Sequence, residues 1–393
     1  MRYCTRCVYP AIAAAPLEFD ENGVCSGCRV HDQRKAINWE ERRKLLADLL
    51  GEYRSASGGN YDCIIPVSGG KDSYFQTHII AKEFGLKPLL VTYHGNNYLP
   101  EGQWNLNRMR EVFDVDQHVF SPSVDTLVKL NRICFKLMGD MNWQNHCGIF
   151  TYPVRTAVQF RIPLLIWGEH GYTDLAGMYS MSDFVEMTAK YRLEHAQRGY
   201  DWFDMTDDGL EMIGRPELKE GLKARDMLWA KYPTDEELDD VGVRGIYLFN
   251  YVKWEANWHA KLVLDLYGWK PAETPFERTY RRFSNLDDRY ENGMHDYLRY
   301  IKFGYGRATD HACKDIRAGL MTREEGIAMV RKYDHVKSSD LQFWLKYVGM
   351  AEEEFDRIAD TFRDPRAWRK NDQGEWEKEN IWDAGKIQEG KRA

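Results

Sequence analysis

Between about residue 60 and residue 172, short apolar runs alternate with longer segments whose apolar positions recur at helical spacing. Short runs bounded by polar and turn residues predict buried strands. These runs are residues 62–67, 88–93, 117–120 and 163–167. The helical spacing between them predicts helices at 73–84, 106–113, 124–137 and 153–160. This alternation predicts an α/β fold with a doubly wound parallel sheet and helices on both of its faces.

The pattern changes on either side of this region. Leucines at positions 45, 46, 49 and 50 predict a helix over about residues 39–53. From about residue 174 onward the apolar spacing is mostly helical and aromatic residues are frequent, whereas the C-terminal end is polar. We therefore expect a helical C-terminal region after the sheet, followed by a polar tail.

The charge balance narrows the possible partners. The chain of 393 residues has 54 Lys and Arg against 61 Asp and Glu, a formal net charge of -7. Proteins that bind nucleic acids or anionic membranes usually have a basic excess that neutralises phosphates. The chain begins without the apolar segment of a secretion signal, and its apolar runs are too short to span a bilayer. We expect a cytoplasmic protein that neither inserts into a membrane nor binds nucleic acid.

Four of the eight cysteines form two Cys-x2-Cys pairs separated by seventeen residues: Cys4, Cys7, Cys25 and Cys28. This spacing is typical of four-thiolate zinc sites, in which two tight turns direct their sulfurs at one ion. Asn22-Gly23 predicts a hairpin turn that brings the pairs together. We predict a structural zinc ribbon, because four sulfur ligands leave no position for a catalytic water. Paired disulfides or four reduced thiols are the alternatives.

A glycine-rich loop lies between the first predicted strand and the helix that follows. Its residues are Ser68, Gly69, Gly70, Lys71, Asp72 and Ser73. Glycines let a phosphate approach the backbone, and successive N–H groups at a helix start attract an anion. Lys71 adds a positive charge, and the two serine hydroxyls can donate to phosphate oxygens. The loop is not a Walker A motif, because Lys71 is followed by Asp72 rather than by Ser or Thr. A turn with Asp72 as N-cap is the alternative.

The sequence Ser-Gly-Gly-Lys-Asp-Ser after a strand resembles the pyrophosphate loop of the PP-loop ATP pyrophosphatase superfamily. The resemblance implies that ATP is cleaved between its α and β phosphates. A substrate oxygen is adenylated, and a nitrogen or sulfur nucleophile then displaces AMP. The resemblance also implies that residues 68–73 bind ATP, that Lys71 and Asp72 act in catalysis, and that Asp72 helps to hold Mg²⁺.

The sequence offers no glutaminase of its own. Arg2 stands where an N-terminal-nucleophile glutaminase needs a Cys, and residues 146–148 match the nucleophile elbow of a triad glutaminase poorly. Ammonia would therefore come from a separate glutaminase subunit. The alternative activity is that of a PP-loop tRNA sulfurtransferase of the 2-thiouridine or 2-thiocytidine type, for which we expect closely set cysteines in the α/β domain. Cys63, Cys134 and Cys147 are widely separated. A zinc-ribbon binding protein with a relic nucleotide loop is the non-enzymatic alternative.

Further motifs give a narrower resemblance over nearly the whole chain. They are the cysteine pairs, the loop 68–73, Asn96-Asn97, and residues 167–171, 295–298 and 302–311. Together they resemble the N-acetyl sugar amidotransferases of bacterial surface-glycan pathways, which serve lipopolysaccharide O-antigen and flagellin sugars. The resemblance implies conversion of the acetamido group of a nucleotide-linked sugar into an acetamidino group, with ATP and with ammonia from a partner similar to the histidine-pathway glutaminase.

Polar residues after the predicted strands are further candidates. Glu169 and His170 follow the fourth strand, where α/β sheets bind ligands, and we assign them to catalysis as substrate-positioning or proton-transfer groups. Capping of a loop is the alternative for both. We assign Asn96 and Asn97, after the second strand, to substrate binding, with a turn as the alternative.

Two basic groups complete the candidate site. Arg278, Arg281 and Arg282 recur at the spacing of one helical turn, and we assign them to binding a carboxylate or diphosphate of the substrate. A solvated helix face is the alternative. Residues 304–311 combine glycines with Arg307 and His311, a composition typical of a loop that approaches a ligand, so we assign both side chains to substrate binding.

These observations divide the chain into five parts. We predict a zinc ribbon over 1–35, a helical linker over 36–59, a PP-loop ATP-binding domain over 60–230, a helical substrate-binding region over 231–370 and a polar tail over 371–393. ATP, Mg²⁺ and a structural Zn²⁺ are the expected cofactors.

Overall fold

Five parallel strands form the central sheet of the computed structural model, which describes residues 1–54, 58–95, 98–284 and 286–383. The strands are β1 (Cys63–Pro66), β2 (Pro88–Tyr93), β3 (Gln117–Phe120), β4 (Leu164–Trp167) and β5 (Arg244–Tyr247). Their order across the sheet is β3-β2-β1-β4-β5, and every neighbouring pair is parallel. The doubly wound α/β fold expected from the sequence is confirmed.

Helices make up most of the remaining structure. They are α1 (Ser26–Gln33), α2 (Trp39–Tyr53), α3 (Lys71–Thr77), α4 (Pro100–Phe113), α5 (Val124–Met138), α6 (Trp143–Phe160), α7 (Ala189–Tyr191), α8 (Asp207–Met212), α9 (Asp235–Val241), α10 (Ala256–Tyr267), α11 (Asn292–Phe303), α12 (Arg307–Arg317), α13 (Arg323–Tyr333), α14 (Asp340–Val348) and α15 (Glu352–Asp360). A π-helix, His78–Glu83, continues α3. Within the described ranges, none of the helices has both the length and the apolar character needed to cross a bilayer.

Four strands lie where the apolar runs predict them. β2 and β3 have the predicted bounds, and β1 and β4 fall inside the predicted runs. Interior strands of a parallel sheet are covered on both faces, so they are apolar along most of their length. Accordingly Ile64, Ile65, Leu90, Leu165 and Ile166 are fully buried.

The fifth strand lies in a range for which the sequence predicts helices, and the prediction is wrong there. β5 pairs with β4, with Gly245 opposite Leu165 and Tyr247 opposite Trp167. A Cβ at Gly245 would lie 2.7 Å from the Trp167 ring, so glycine permits this close pairing. An apolar run this short does not distinguish a strand from a buried helix without knowledge of its partner.

The helical C-terminal region expected from the sequence is confirmed. Its helices α11, α14 and α15 bury Trp344 and Phe355 against Phe135 of α5. The end of the described chain is held more firmly than a polar tail suggests: β6 (Arg369–Lys370) and β7 (Trp376–Glu377) form a hairpin. Ile381 is buried in the cluster that contains the four N-terminal cysteines. Residues 384–393 of the predicted tail, like residues 55–57 of the predicted linker, lie outside the described residues.

Candidate active site

The glycine-rich loop lies where the strand order reverses. The chain leaves β1 toward β2 and later returns to β4 on the opposite side of β1. In open α/β sheets, ligands bind outside the carboxyl ends of the strands at such a switch point. The loop occupies that position, because it connects the end of β1 to the first residue of α3, Lys71.

Close contacts fix the backbone of the loop. Gly69 has a φ of +78°, and a Cβ there would lie 2.7 Å from the backbone nitrogen of Leu106. Trp269 donates from Nε1 to the Gly69 carbonyl oxygen at 3.0 Å. The Ser68 amide donates to Ser73 Oγ at 3.0 Å. The conformation is therefore set by packing and hydrogen bonds within the chain.

Lys71 and Asp72 form a charged pair at the start of α3. Lys71 Nζ lies 2.5 Å from Asp72 Oδ2, and His259 Nδ1 lies 2.8 Å from Asp72 Oδ1. The Glu255 amide donates to His259 Nε2 at 3.3 Å, so Nδ1 carries the ring proton and donates it to Asp72. Burial raises the pKa of Asp72, but the Lys71 charge and the His259 hydrogen bond outweigh it and hold this pKa below its usual range. No local sequence pattern indicates His259 as a partner of Asp72, because the two residues lie 187 positions apart in the chain.

These contacts limit how Asp72 can serve a magnesium ion. Both of its carboxylate oxygens already accept contacts, one from Lys71 and one from His259. Mg²⁺ in nucleotide sites is commonly held by one or two carboxylates together with phosphate oxygens and water. Asp72 could therefore supply at most one ligand atom to the ion, and phosphate oxygens of ATP would supply further ligands.

A cavity of about 310 Å³ opens beside the loop. The loop contributes Ser68 and Ser73 to its lining. Asn145 on α6, together with His295 on α11, lies among the other lining residues, and so does Arg307 at the start of α12. The cavity therefore brings the predicted phosphate loop together with polar groups from the helical part of the chain.

Two histidines that were not assigned to the site line this cavity. His146 of α6 and His295 of α11 have ring centroids 5.4 Å apart. Burial lowers the pKa of His146 to about 3, so this ring is neutral. His295 Nδ1 lies 2.7 Å from Oδ1 of the buried Asp140. The concentration of polar residues over 139–146 is the sequence signal that could have indicated this part of the site.

Glu169 and His170 follow β4 as predicted, but neither is among the described residues that line the cavity. Glu169 accepts hydrogen bonds from Lys314 Nζ and Trp254 Nε1, both at 3.1 Å. His170 is buried, and its Nδ1 accepts from the Thr173 amide at 3.3 Å. Burial lowers the pKa of His170 to about 4. These contacts match the alternative role of holding the loop after β4, and the catalytic roles stay predictions.

The expected helical arrangement of the three arginines is wrong, because residues 278–282 form an irregular segment. Arg278 is buried and donates to the Asp334 carbonyl oxygen at 2.9 Å, and burial lowers its pKa to about 10. Arg282 Nε donates to a backbone carbonyl oxygen at 2.8 Å. Arg281 forms a buried ion pair with Asp315 at 2.6 Å. All three guanidinium groups thus contact the protein itself and do not form a shared clamp.

The expectation of a loop over 304–311 is also wrong, because α12 begins at Arg307. Arg307 lines the cavity, and its guanidinium lies 2.9 Å from the Asp296 carboxylate. His311 is buried away from the lining, with Nδ1 2.6 Å from Thr279 Oγ1, and burial holds its pKa well below the usual range. The structure therefore brings Arg307, and not His311, to the cavity.

The second strand ends near the same cavity. Asn96 and Asn97, which we assigned to substrate binding, lie outside the described residues. Gly95 and Tyr98 on either side of them line the cavity. The assignment of the two asparagines stays a prediction.

The two cysteine pairs converge as their spacing predicts. The sulfurs of Cys4, Cys7, Cys25 and Cys28 are buried and all lie within 4.8 Å of one another. A tetrahedral zinc ion with Zn–S bonds of about 2.3 Å separates its sulfurs by about 3.8 Å. The Cys7–Cys25 and Cys4–Cys28 pairs, at 3.7 and 4.0 Å, fit that geometry. Arg317 Nη2 lies 3.6 Å from Cys25 Sγ and would offset the negative charge of a tetrathiolate site. Every described cysteine is free, so the described residues contain none of the paired disulfides given as an alternative.

A protein-family model matches the C-terminal part of the chain. Residues 277–382 match the model described as LPS biosynthesis protein WbpG-like, C-terminal domain. The matched segment contains His295 and Arg307 of the cavity. This match supports a resemblance to proteins of lipopolysaccharide biosynthesis.

Other comparisons are weaker. An uncharacterized protein of Methanocaldococcus jannaschii is 26% identical over 113 residues, which are 29% of this chain and 40% of that protein. An NMN synthetase from Francisella tularensis is 15% identical with a TM-score of 0.28, over 61% of this chain and 99% of that chain. A tRNA thiolase from Methanococcus maripaludis is 12% identical with a TM-score of 0.29, over 81% of this chain and 87% of that chain. Similarity at this level does not indicate a shared activity.

Proposed function

We propose that the chain is an ATP-dependent amidotransferase. The enzyme adenylates the acetamido oxygen of an N-acetylated, nucleotide-linked sugar and releases pyrophosphate. Ammonia from a separate glutaminase then displaces AMP and gives an acetamidino sugar. The product would enter O-antigen or flagellin glycan biosynthesis.

The observation that carries this proposal is the position of the loop 68–73. It lies at the switch point of the parallel sheet and borders a cavity of about 310 Å³. Cavities of this size lie at the lower end of the range for small-molecule sites. Such a cavity is large enough for the reacting groups, while the remainder of both nucleotides would extend beyond it.

The chemistry of the site favours adenylation of an amide. An amide oxygen is a poor leaving group until it is bonded to the α-phosphate. The negative charge that develops on the phosphate oxygens during this transfer needs fixed positive groups to stabilise it. Lys71 and the first N–H groups of α3 supply positive charge beside the loop. The partly enclosed cavity would also keep water from the activated substrate.

The placement of the cysteines supports a nitrogen nucleophile over a sulfur nucleophile. In the described part of the chain, no cysteine borders the cavity. Cys147 is buried on α6, and burial raises the pKa of its thiol to about 12. A protonated, buried thiol is a poor nucleophile. A tRNA sulfurtransferase would need its sulfur delivered entirely by another molecule.

The match of residues 277–382 to the WbpG-like model supports a place in lipopolysaccharide biosynthesis. In this proposal the zinc ion is structural, because its four cysteine ligands would leave no open position. Mg²⁺ would accompany ATP, with Asp72 as its protein ligand in the loop.

Substitution of Lys71 tests the ATP site directly. Lys71→Ala should reduce sugar-dependent AMP formation by about 10²–10³-fold or more, since it removes a positive group from the developing charge. Lys44→Ala, on the exposed surface of α2, is the matched control and should keep wild-type activity. Equal turnover of the two variants would refute the assignment of the loop. AMP formation that requires tRNA and a sulfur donor would favour the sulfurtransferase instead.

A further inference from the structure

We infer that His295 is the proton acceptor in the ammonia-dependent step and that Asp140 is the residue that positions it. This inference rests on the proposed amidotransferase function and assigns a residue to its second step. It arises from the arrangement of side chains on the side of the cavity formed by α6 and α11.

The hydrogen bond between Asp140 and His295 fixes the orientation of the imidazole. Asp140 Oδ1 lies 2.7 Å from His295 Nδ1, and the carboxylate is 1% exposed. An ionised carboxylate only accepts hydrogen bonds, so Nδ1 carries the proton in the neutral ring. His295 lines the cavity, and its Nε2 then has the lone pair that a proton acceptor needs.

Asp140 is itself held on both oxygens. The Asn142 amide donates to Oδ1 at 3.1 Å, and Arg198 Nη2 lies 2.6 Å from Oδ2. Arg198 has a φ of +58°, a left-handed conformation that is uncommon for a residue other than glycine. Burial raises the pKa of Asp140, but His295 and Arg198 outweigh it and keep the carboxyl ionised. The acceptor tautomer of His295 is therefore maintained by a rigid ion-pair network.

The location of the pair suits the second step of the reaction. His295 borders the same cavity as Ser68 and Ser73 of the phosphate loop, on a different element. The activated carbon would lie in this cavity, with the adenylate beside the loop that binds the pyrophosphate part of ATP and the attacking nitrogen on the side of His295. His146, the neighbouring ring, is neutral and adds no charge that would repel a proton from His295.

The proposed step balances in atoms and electrons. The ammonia lone pair forms the new C–N bond, and the π pair of the activated C=N bond moves to the acetamido nitrogen, which keeps its hydrogen. The new ammonium nitrogen loses one proton to His295 Nε2. The C–O bond then breaks with its electron pair on the AMP oxygen, a C=N bond forms, and the amidinium product results. The proton leaves His295 to solvent.

Rapid-quench kinetics with ATP, a nucleotide-linked N-acetyl sugar and ammonium separate the two steps. His295→Gln should release pyrophosphate in the first turnover at the wild-type rate, whereas acetamidino product formation should fall about 10²–10⁴-fold. Asp140→Asn should show the same split, because an amide can donate to Nδ1 and so favours the wrong tautomer. His335→Gln, at an exposed position, is the matched control.

A second nucleophile distinguishes proton transfer from a structural role. Hydroxylamine is a much weaker base than ammonia, so its adduct releases a proton more readily. The defect of His295→Gln should therefore be much smaller with hydroxylamine. An equal defect with both nucleophiles, or a loss of pyrophosphate release equal to the loss of product, would overturn the inference. A wild-type protein that releases no pyrophosphate with any N-acetyl sugar would refute the proposed function and this assignment with it.

Discussion

Replacement of Gly69 by alanine should destabilise the protein far more than the same replacement at Gly70. Gly69 has a φ of +78°, and its added Cβ would lie 2.7 Å from the nitrogen and 2.8 Å from the Cα of Leu106. The left-handed backbone costs about 1–2 kcal/mol for an L-residue. Overpacking against backbone atoms, which cannot rotate away, costs about 1–3 kcal/mol more. The expected loss in the free energy of unfolding is therefore about 2–5 kcal/mol.

Gly70 provides the control one residue away. Its φ is -69°, and an added Cβ would meet only Ser68 Oγ, at 3.4 Å. As the N-cap of α3 it should lose about 1 kcal/mol or less on substitution by alanine. Urea unfolding followed by tryptophan fluorescence measures both variants without any ligand. Equal stability of Gly69→Ala and Gly70→Ala would refute the close packing of the loop against α4.

Two further predictions concern the metal and the pH dependence. Chelation, or Cys7→Ser, should release one zinc per chain and expose α1 and the segment after β4 to proteolysis. The two segments should loosen together, because Ser26 Oγ of α1 donates to the Ala176 carbonyl oxygen at 2.6 Å. Full metal retention in Cys7→Ser, measured by atomic absorption, would contradict this prediction. Burial raises the pKa of Asp288 to about 7, so the folded state keeps a proton that the unfolded chain releases. The stability that this carboxyl contributes should be lost as pH rises from about 4 to about 7. In Asp288→Asn, the free energy of unfolding measured with urea should decline less over this pH range. The same decline in both proteins would argue against this prediction.

Local features of the sequence sufficed to predict much of the fold. Strands β1, β2 and β4 are apolar runs with turn residues at both ends, and the cysteine spacing predicts a cluster that the structure confirms. The phosphate loop could be located because its glycines, lysine and serines are contiguous. In each of these cases the physical requirement is met by residues close together in the chain.

The remainder of the site depends on contacts between distant residues. The Asp72–His259 and Asp140–His295 pairs join positions 187 and 155 residues apart, and no local pattern indicates which partners meet. Arg278 illustrates the opposite error. Its spacing suggests a ligand-binding helix, but Arg278 lies in an irregular segment and is buried. Its guanidinium donates to the backbone carbonyl oxygens of Asp296 and Asp334, contacts that depend on tertiary packing.

The most direct test of the proposed function is the mass of the sugar product. The protein should be incubated with ATP, Mg²⁺, ammonium and a panel of nucleotide-linked N-acetyl sugars. The proposed reaction yields AMP, pyrophosphate and a sugar in which one carbonyl oxygen is replaced by NH, and Lys71→Ala should form none of these at a comparable rate. AMP formation that no N-acetyl sugar stimulates, or a sugar of unchanged mass, would contradict it.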